Sequence, residues 1–423
     1  MAAPLLSLAG IHLTFGGTPL LVGAELTVLE GERLCLVGRN GSGKSTLMRI
    51  AAGLAEPDRG DRILQQGLSV RYLPQEPDLE GYATTLDYAS DGLESPHRAR
   101  SLLHELGLTG EEAPDRLSGG ELRRAGIARL LAADPDVALL DEPTNHLDLP
   151  AIEWLERELG ALRAAIVLTS HDRRFLETLS RATLWIDRGV TRRLDRGFAD
   201  FEAWRDDVLE QETAERHKLD RKIAREQEWM HGGVTARRKR NVRRVAELAA
   251  MRKSRREARQ VTGNVRLDAS DGQQSGRIVA EGVRLSKSFG DLNVVSDVSV
   301  RIQRGDRVGI VGPNGAGKTT LLKLLTGALA PDTGTIRLGT NLEMVSLDQR
   351  RDELKPDWTV VDALTGGRGD WVSINGEKRH VATYLKEFLF EPEQARSPLS
   401  VLSGGERARL MLARALAKPS NLL

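Results

Sequence analysis

The chain has 423 residues, 40% of them hydrophobic, with a formal net charge of +1, which suits two or three domains with ordinary cores. Its lone cysteine, Cys35, excludes an intramolecular disulfide, and no apolar run approaches the ~20 residues that span a bilayer. The N-terminus has no basic stretch followed by a long apolar core, so the expectation is a soluble, cytoplasmic protein without a membrane partner.

A first short strand ends at Phe15-Gly16-Gly17, and an alternating strand follows over Ala24 to Leu29. A turn at Glu30-Gly31-Glu32 leads into Leu34-Cys35-Leu36-Val37, predicted to be a buried strand. Gly38-Arg39-Asn40-Gly41-Ser42-Gly43-Lys44-Ser45-Thr46 then opens a helix predicted over Ser45 to Ala52, with Gly53 as its stop. Strand, glycine loop and helix in that order form a phosphate-binding loop, in which backbone N–H groups and a helix N-terminus face the anion. Lys44 is placed to reach the β- and γ-phosphates and Ser45 to hold Mg2+.

Further along, the extended run Val70 to Leu73 precedes Gln75. Leu117-Ser118-Gly119-Gly120-Glu121 opens another helix and another anion-binding terminus, one that needs a phosphate its own domain does not hold. A plain helix cap would explain the serine but not the glycine pair. Val137 to Leu140 is an apolar strand ending in Asp141-Glu142, at the carboxyl end where an α/β sheet keeps its site. Asp141 is suited to bind Mg2+ and Glu142 to orient and polarise an attacking water. His171 follows a second apolar strand, in Thr169-Ser170-His171-Asp172.

The next segment differs in character. From Arg216 to Arg259 there are 16 Lys/Arg against 5 Asp/Glu, leaving 45 basic and 55 acidic residues elsewhere. An acidic body therefore carries a basic insert, predicted to be two helices hinged at Gly232-Gly233. The sparse apolar seam of the first includes Trp204, Val208, Leu219, Ile223 and Met230. Its tip carries Arg237, Arg238, Lys239, Arg240, Arg243 and Arg244. Phosphate neutralisation by such a tip would drive nucleic-acid binding, although a solvated spacer has similar composition.

After the insert the motifs repeat in the same order. Phe289-Gly290-Asp291, an alternating strand over Val295 to Ile302, a buried strand and Gly312-Pro313-Asn314-Gly315-Ala316-Gly317-Lys318-Thr319-Thr320 mirror the first copy, with a helix over Thr319 to Leu325. Thr319 is the second candidate Mg2+ ligand. Gln349 matches Gln75, and Leu402-Ser403-Gly404-Gly405-Glu406 matches the first LSGGE after 11 more intervening residues.

Together these motifs resemble those of ATP-binding cassette (ABC) proteins, α/β P-loop ATPases in which the Ser-Gly-Gly of one domain closes on the ATP held by the other. The resemblance implies ATP and Mg2+ as cofactors, Gln75 and Gln349 near the metal and the attacking water, and Asp148 at the domain interface. It further implies His171 against the γ-phosphate and Phe15 and Phe289 stacked on adenine. Two fused cassettes with a helical-hairpin linker, and the form Glu142-Pro143-Thr144-Asn145-His146-Leu147-Asp148, resemble the ABC-F subfamily; the segment 229–241 resembles its Uup-like branch. That likeness implies a monomer that clamps its own cassettes together and engages the ribosome through transfer or ribosomal RNA. DNA repair or replication is the alternative, a transporter ATPase a more distant one, and antibiotic-resistance protection, which usually has a longer linker tip, the most distant. The expected domains are 1–203, 204–275 and 276–423.

Aligning Pro419-Ser420-Asn421-Leu422-Leu423 on Pro135 to Leu139 puts a second Asp at about position 425 by motif spacing. The second Asp-Glu pair and second histidine thus have no counterpart within the 423 residues. The missing strand is expected to lie beside the phosphate-loop strand in mid-sheet, so the second domain should be incomplete and poorly stable. A partial gene model is expected rather than a natural one-site enzyme.

Overall fold

The computed structural model describes residues 3–15, 18–231, 248, 276–290, 292–346, 358–367, 369–374, 377–390, 392–402 and 404–423. The chain divides into two compact units, Met1–Val261 and Thr262–Leu423.

The first unit contains two sheets. Strands β1 (Leu6–Phe15), β2 (Thr18–Val28) and β4 (Arg59–Leu64) form a three-stranded antiparallel sheet in the order β2-β1-β4. The second sheet has six strands, β3 (Arg33–Gly38), β5 (Val70–Leu73), β6 (Val137–Leu140), β7 (Ala165–Leu168), β8 (Ala182–Asp187) and β9 (Val190–Leu194), in the order β5-β6-β7-β3-β8-β9. All its pairings are parallel except β8 with β9.

Successive side chains of a strand face opposite sides of its sheet. Leu34 and Leu36 of β3 therefore enter one core with Leu47, Met48, Val137 and Val167, whereas Cys35 and Val37 enter another with Ala138, Leu140, Ile166 and Leu168. Burial on both faces explains why these strands read as unbroken apolar runs. Helix α1 (Lys44–Ala52) packs in the first core. The second core takes α2 (Thr85–Ser90), α3 (His97–Glu105), α4 (Gly119–Ala132), α5 (Leu149–Ala161) and α6 (Arg173–Leu179).

Helix α7 (Phe201–His231) has 31 residues, roughly 46 Å at helical rise. Its start belongs to the first unit's core, with Phe201 and Trp204 ringed about Trp185 and Val208 packed behind them. Trp204 and Val208 are thus partly buried against the cassette core. Glu212 accepts from Arg192 and, at 2.6 Å, from Arg188 Nη2, which pins α7 to the β8–β9 hairpin. The Gly232-Gly233 hinge and the six basic tip residues, Arg237 to Arg244, lie outside the described residues.

The second unit repeats the antiparallel sheet, with β10 (Ile278–Phe289), β11 (Leu292–Gln303) and β12 (Thr333–Leu338) in the order β11-β10-β12. Helix α8 (Lys318–Leu325) packs on it through Leu324 and Leu325. A separate core joins α9 (Val360–Thr365), the hairpin β13 (Trp371–Ile374) and β14 (Glu377–His380), α10 (Val381–Glu387) and α11 (Gly404–Ala417).

Two expectations need correction. The buried strand predicted before the second phosphate loop is not formed: residues 307–311 are unpaired, and Val308 and Val311 are 55% and 92% exposed. In the first unit the equivalent strand is held by β7 and β8. Among the described residues of the second unit no strand plays either part, and an apolar run without partners has no ladder to join. Only an isolated parallel bridge, Met344 with Leu422, repeats the sense of β5 with β6. The second correction concerns sheet order. The strand carrying Asp141 is not beside the phosphate-loop strand, because β7 lies between them. Motif spacing fixes which strands exist, but a crossover connection can skip a place.

Candidate nucleotide site

The first phosphate loop leaves the carboxyl end of β3. Gly41 has φ 77° and Gly43 φ 100°, a left-handed backbone that favours glycine. Gly38 serves close approach instead: a Cβ there would lie 2.6 Å from the Ile186 carbonyl oxygen. This path turns the loop around the start of α1, so that Lys44 Nζ donates to the carbonyls of Gly38 at 2.8 Å and Arg39 at 3.2 Å. Burial pushes the Lys44 ammonium below its usual range, opposed by the charges of Glu142 and Asp141. The Ser42 hydroxyl is buried with no hydrogen-bond partner. A buried orphan hydroxyl in a loop of backbone donors is what a phosphate would satisfy. Ser45 and Thr46 are half-buried in the first turn of α1, and Asn40 is exposed.

The carboxylates lie at the end of β6. Asp141 is 1% and Glu142 6% exposed. Thr169, at the end of β7, joins them: its hydroxyl donates to Asp141 Oδ1 at 2.8 Å and accepts from the Glu142 N–H at 2.9 Å. Tyr72 OH donates to Asp141 Oδ2 at 3.2 Å, and burial, then the charge of Asp141, pushes that phenol upward. Glu142 has a left-handed backbone at φ 51°, a conformation a non-glycine residue keeps only where its surroundings fix it. Its Oε2 accepts from the His171 N–H at 3.1 Å, and its Oε1 stands 3.5 Å from His171 Nε2. Burial raises the Glu142 carboxyl, against the pull of His171 and Lys44.

Ser118 and Glu121 form a reciprocal cap on α4. The Ser118 N–H and hydroxyl donate to Glu121 Oε2 at 2.8 and 2.7 Å, and the Glu121 N–H donates to Ser118 Oγ at 3.3 Å. The serine of the Ser-Gly-Gly run is therefore the cap of its own helix. Gln75 is exposed beyond β5, and Asp148 caps α5 by accepting from the Ala151 N–H at 3.2 Å.

The structure thus brings together Lys44, Asp141, Glu142 and His171. Sequence reasoning did not assign a role to Tyr72, Thr169 or Arg123, which hold this group in place. Arg123 carried a readable signal, a charge in register with Ile127 and Leu130 on the apolar stripe of α4.

In the second unit, Gly315 and Gly317 are left-handed at φ 81° and 84°, and Lys318 Nζ donates to the carbonyls of Gly312 at 2.6 Å and Pro313 at 2.8 Å. Thr319 is exposed and Thr320 half-buried. Phe289 ends β10 at 53% exposure with Lys287 Nζ 5.8 Å from its ring centre. Gly404 and Gly405 begin α11. Ser403, Gln349 and the side chain of Phe15 lie outside what is described.

Among the described residues no three His, Cys, Asp or Glu side chains cluster as a metal cage. A phosphate loop on a buried strand, a carboxylate pair two strands away and a Ser-Gly-Gly helix start define the nucleotide-binding cassette of an ATPase.

The family model described as "ABC transporter" matches residues 21–145 and 295–423. The chain is 47% identical over 423 residues to ATP-binding protein Uup of Caulobacter vibrioides, covering 100% of this chain and 69% of that protein. It is 39% identical over 461 residues to ATP-binding protein Uup of Escherichia coli, covering 99% and 72%. Energy-dependent translational throttle protein EttA of Escherichia coli is 32% identical over 449 residues, covering 96% and 80%. The chain belongs to the ATP-binding cassette family, in the Uup-like branch of its ABC-F proteins, and is an ATP-binding ATPase. Among the described residues no helix is long and apolar enough to cross a membrane.

Proposed function

We propose that ATP held by the Lys44 loop is hydrolysed with Glu142 orienting and polarising the attacking water. The observation that carries this reading is the Thr169 hydroxyl, which ties the Asp141 carboxylate to the Glu142 backbone. Ser45, Gln75 and Asp141 would hold Mg2+, which when bound neutralises charge on the phosphate oxygens. His171, already against Glu142, faces the γ-phosphate in this reading. Gly38 and Asn40 to Gly43 cradle the phosphates.

Residues 1–203 and 276–423 act as two cassettes and 204–275 as their linker. Ser403, Gly404 and Gly405 complete the first site, while Ser118, Gly119 and Gly120 complete a second around Lys318, Thr319 and Gln349. Among the described residues a carboxylate pair with a histidine beside it stands at the first site. ATP binding clamps the cassettes and the basic linker tip engages ribosomal or transfer RNA, with hydrolysis releasing it. The excess of 16 basic over 5 acidic residues from Arg216 to Arg259 and the likeness to a translational throttle protein support this role.

A Glu142→Gln form of the full chain is expected to co-sediment with ribosomes in ATP and to be displaced as salt rises. Failure to co-sediment would count against the translation role, and displacement by branched DNA at fixed salt would favour a DNA partner.

A further inference from the structure

Arg123 is 1% exposed, which makes it the bulkiest fully buried side chain among the described residues. A buried guanidinium is kept only where its donors are satisfied, and here backbone carbonyls satisfy them. It donates to Gln75 O at 3.2 Å and Pro143 O at 3.4 Å, and also to Pro74 O and Asp141 O. Those four oxygens belong to two separate segments. One carries Gln75, and the other is the strand end carrying Asp141 and Glu142. Burial pushes the Arg123 guanidinium down to about 10, and the charges of Asp141 and Glu142 oppose only part of that shift.

Arg123 itself sits on α4, five residues past Ser118, or about 7.5 Å along the axis. The helix is pressed hard onto the Gln75 segment. A Cβ at Gly126 would lie 2.8 Å from Leu73 Cδ1 and 2.8 Å from Pro77 Cγ. A shift of the Ser118 end therefore has little slack before it moves the carbonyls that Arg123 holds.

Among the described residues the second cassette shows no such tie. By the spacing from its Glu406, the equivalent residue is Ala408. The neighbouring Arg407 turns instead to Leu399 O, at 3.2 and 3.0 Å, and Ser400 O at 3.5 Å, just ahead of its own Ser-Gly-Gly.

We infer that Arg123 is a positioning residue that couples the Ser118 helix start to Gln75 and Glu142, so that ATP at the Lys318 loop tunes turnover at the Lys44 loop. This rests on the composite sites proposed above. Arginine suits the task because its planar fork serves several carbonyls at once, whereas lysine offers one compact point charge.

The test is a double-mutant cycle in the full chain. Lys318→Ala is combined with Arg123→Met and with Arg123→Lys, reading kcat, KM and the binding of a fluorescent ATP analogue. Arg123→Met is expected to lower kcat by about tenfold with KM and analogue binding changed by less than about twofold. In that background Lys318→Ala should lower kcat no further. Arg123→Lys should be intermediate in both respects, and it carries the test if Arg123→Met does not fold. Wild-type kcat per folded molecule together with an undiminished Lys318→Ala effect, in whichever variant folds, would show that Arg123 only fills the core and would overturn the inference. Ser403→Arg in the otherwise unchanged chain keeps the two readings apart. If it leaves turnover untouched, the composite site itself fails, whatever Arg123 does.

Discussion

Lys44 and Lys318 make the same pair of bonds to their own loops, but the strands that deliver those loops differ. Strand β3 is paired on both sides, with β7 over residues 33–35 and with β8 over 34–38, while residues 307–311 are unpaired with Val308 and Val311 exposed. A phosphate loop is therefore specified locally. Left-handed glycines and a helix start are enough to set it. The strand beneath it is not local, because its burial depends on partners distant in sequence. One cassette has those partners and the other, among the described residues, does not.

Backbone exchange should break or confirm this contrast most sharply. In the 423-residue chain, amides of 34–37 are expected to exchange on the order of a thousandfold more slowly than those of 308–311, because only the former exchange through large-scale opening. Similar protection, read by hydrogen-exchange mass spectrometry, would mean that 307–311 is paired after all.

Turnover gives the next largest difference. Lys44→Ala removes the cation beside Glu142 and is expected to cut steady-state phosphate release about a hundredfold. Lys318→Ala, at a loop with no carboxylate pair among the described residues, should cost about tenfold or less. Equal losses would mean that the two loops share the chemistry.

The smallest difference sharpens the packing claim. Gly38→Ala must displace the Ile186 carbonyl and is expected to destabilise the first unit by about 1–3 kcal/mol, seen as a lower melting temperature. Gly312→Ala meets nothing closer than the Ala316 Cβ at 3.5 Å, ordinary contact distance, and should leave the melting temperature of the second unit unchanged within error.

Much of the site was legible because its chemistry is written in contiguous motifs. The glycine loops, the strand-end carboxylates and His171 each follow an apolar run, and such runs reveal a buried parallel strand. The residues that hold the site are harder to read. Thr169 and Tyr72 act across strands, and neither threonine nor tyrosine at a strand end is unusual in itself. Arg123 is an internal charge whose acceptors are backbone carbonyls, which every residue possesses. Strand order was misread for a similar reason, since nothing in Asp141 and its neighbours records that β7 lies between them and the loop. The failure of 307–311 to form a strand is a non-local fact about partners, and its own apolar composition could not reveal it.

The central claim is that catalysis runs through Glu142 at the Lys44 loop. Steady-state phosphate release by Glu142→Gln, measured beside binding of a fluorescent ATP analogue, tests it most directly. Release is expected to fall at least about a hundredfold while the analogue still binds as it does to the unaltered protein. Release within about twofold of the unaltered protein would contradict the account and place the reaction elsewhere.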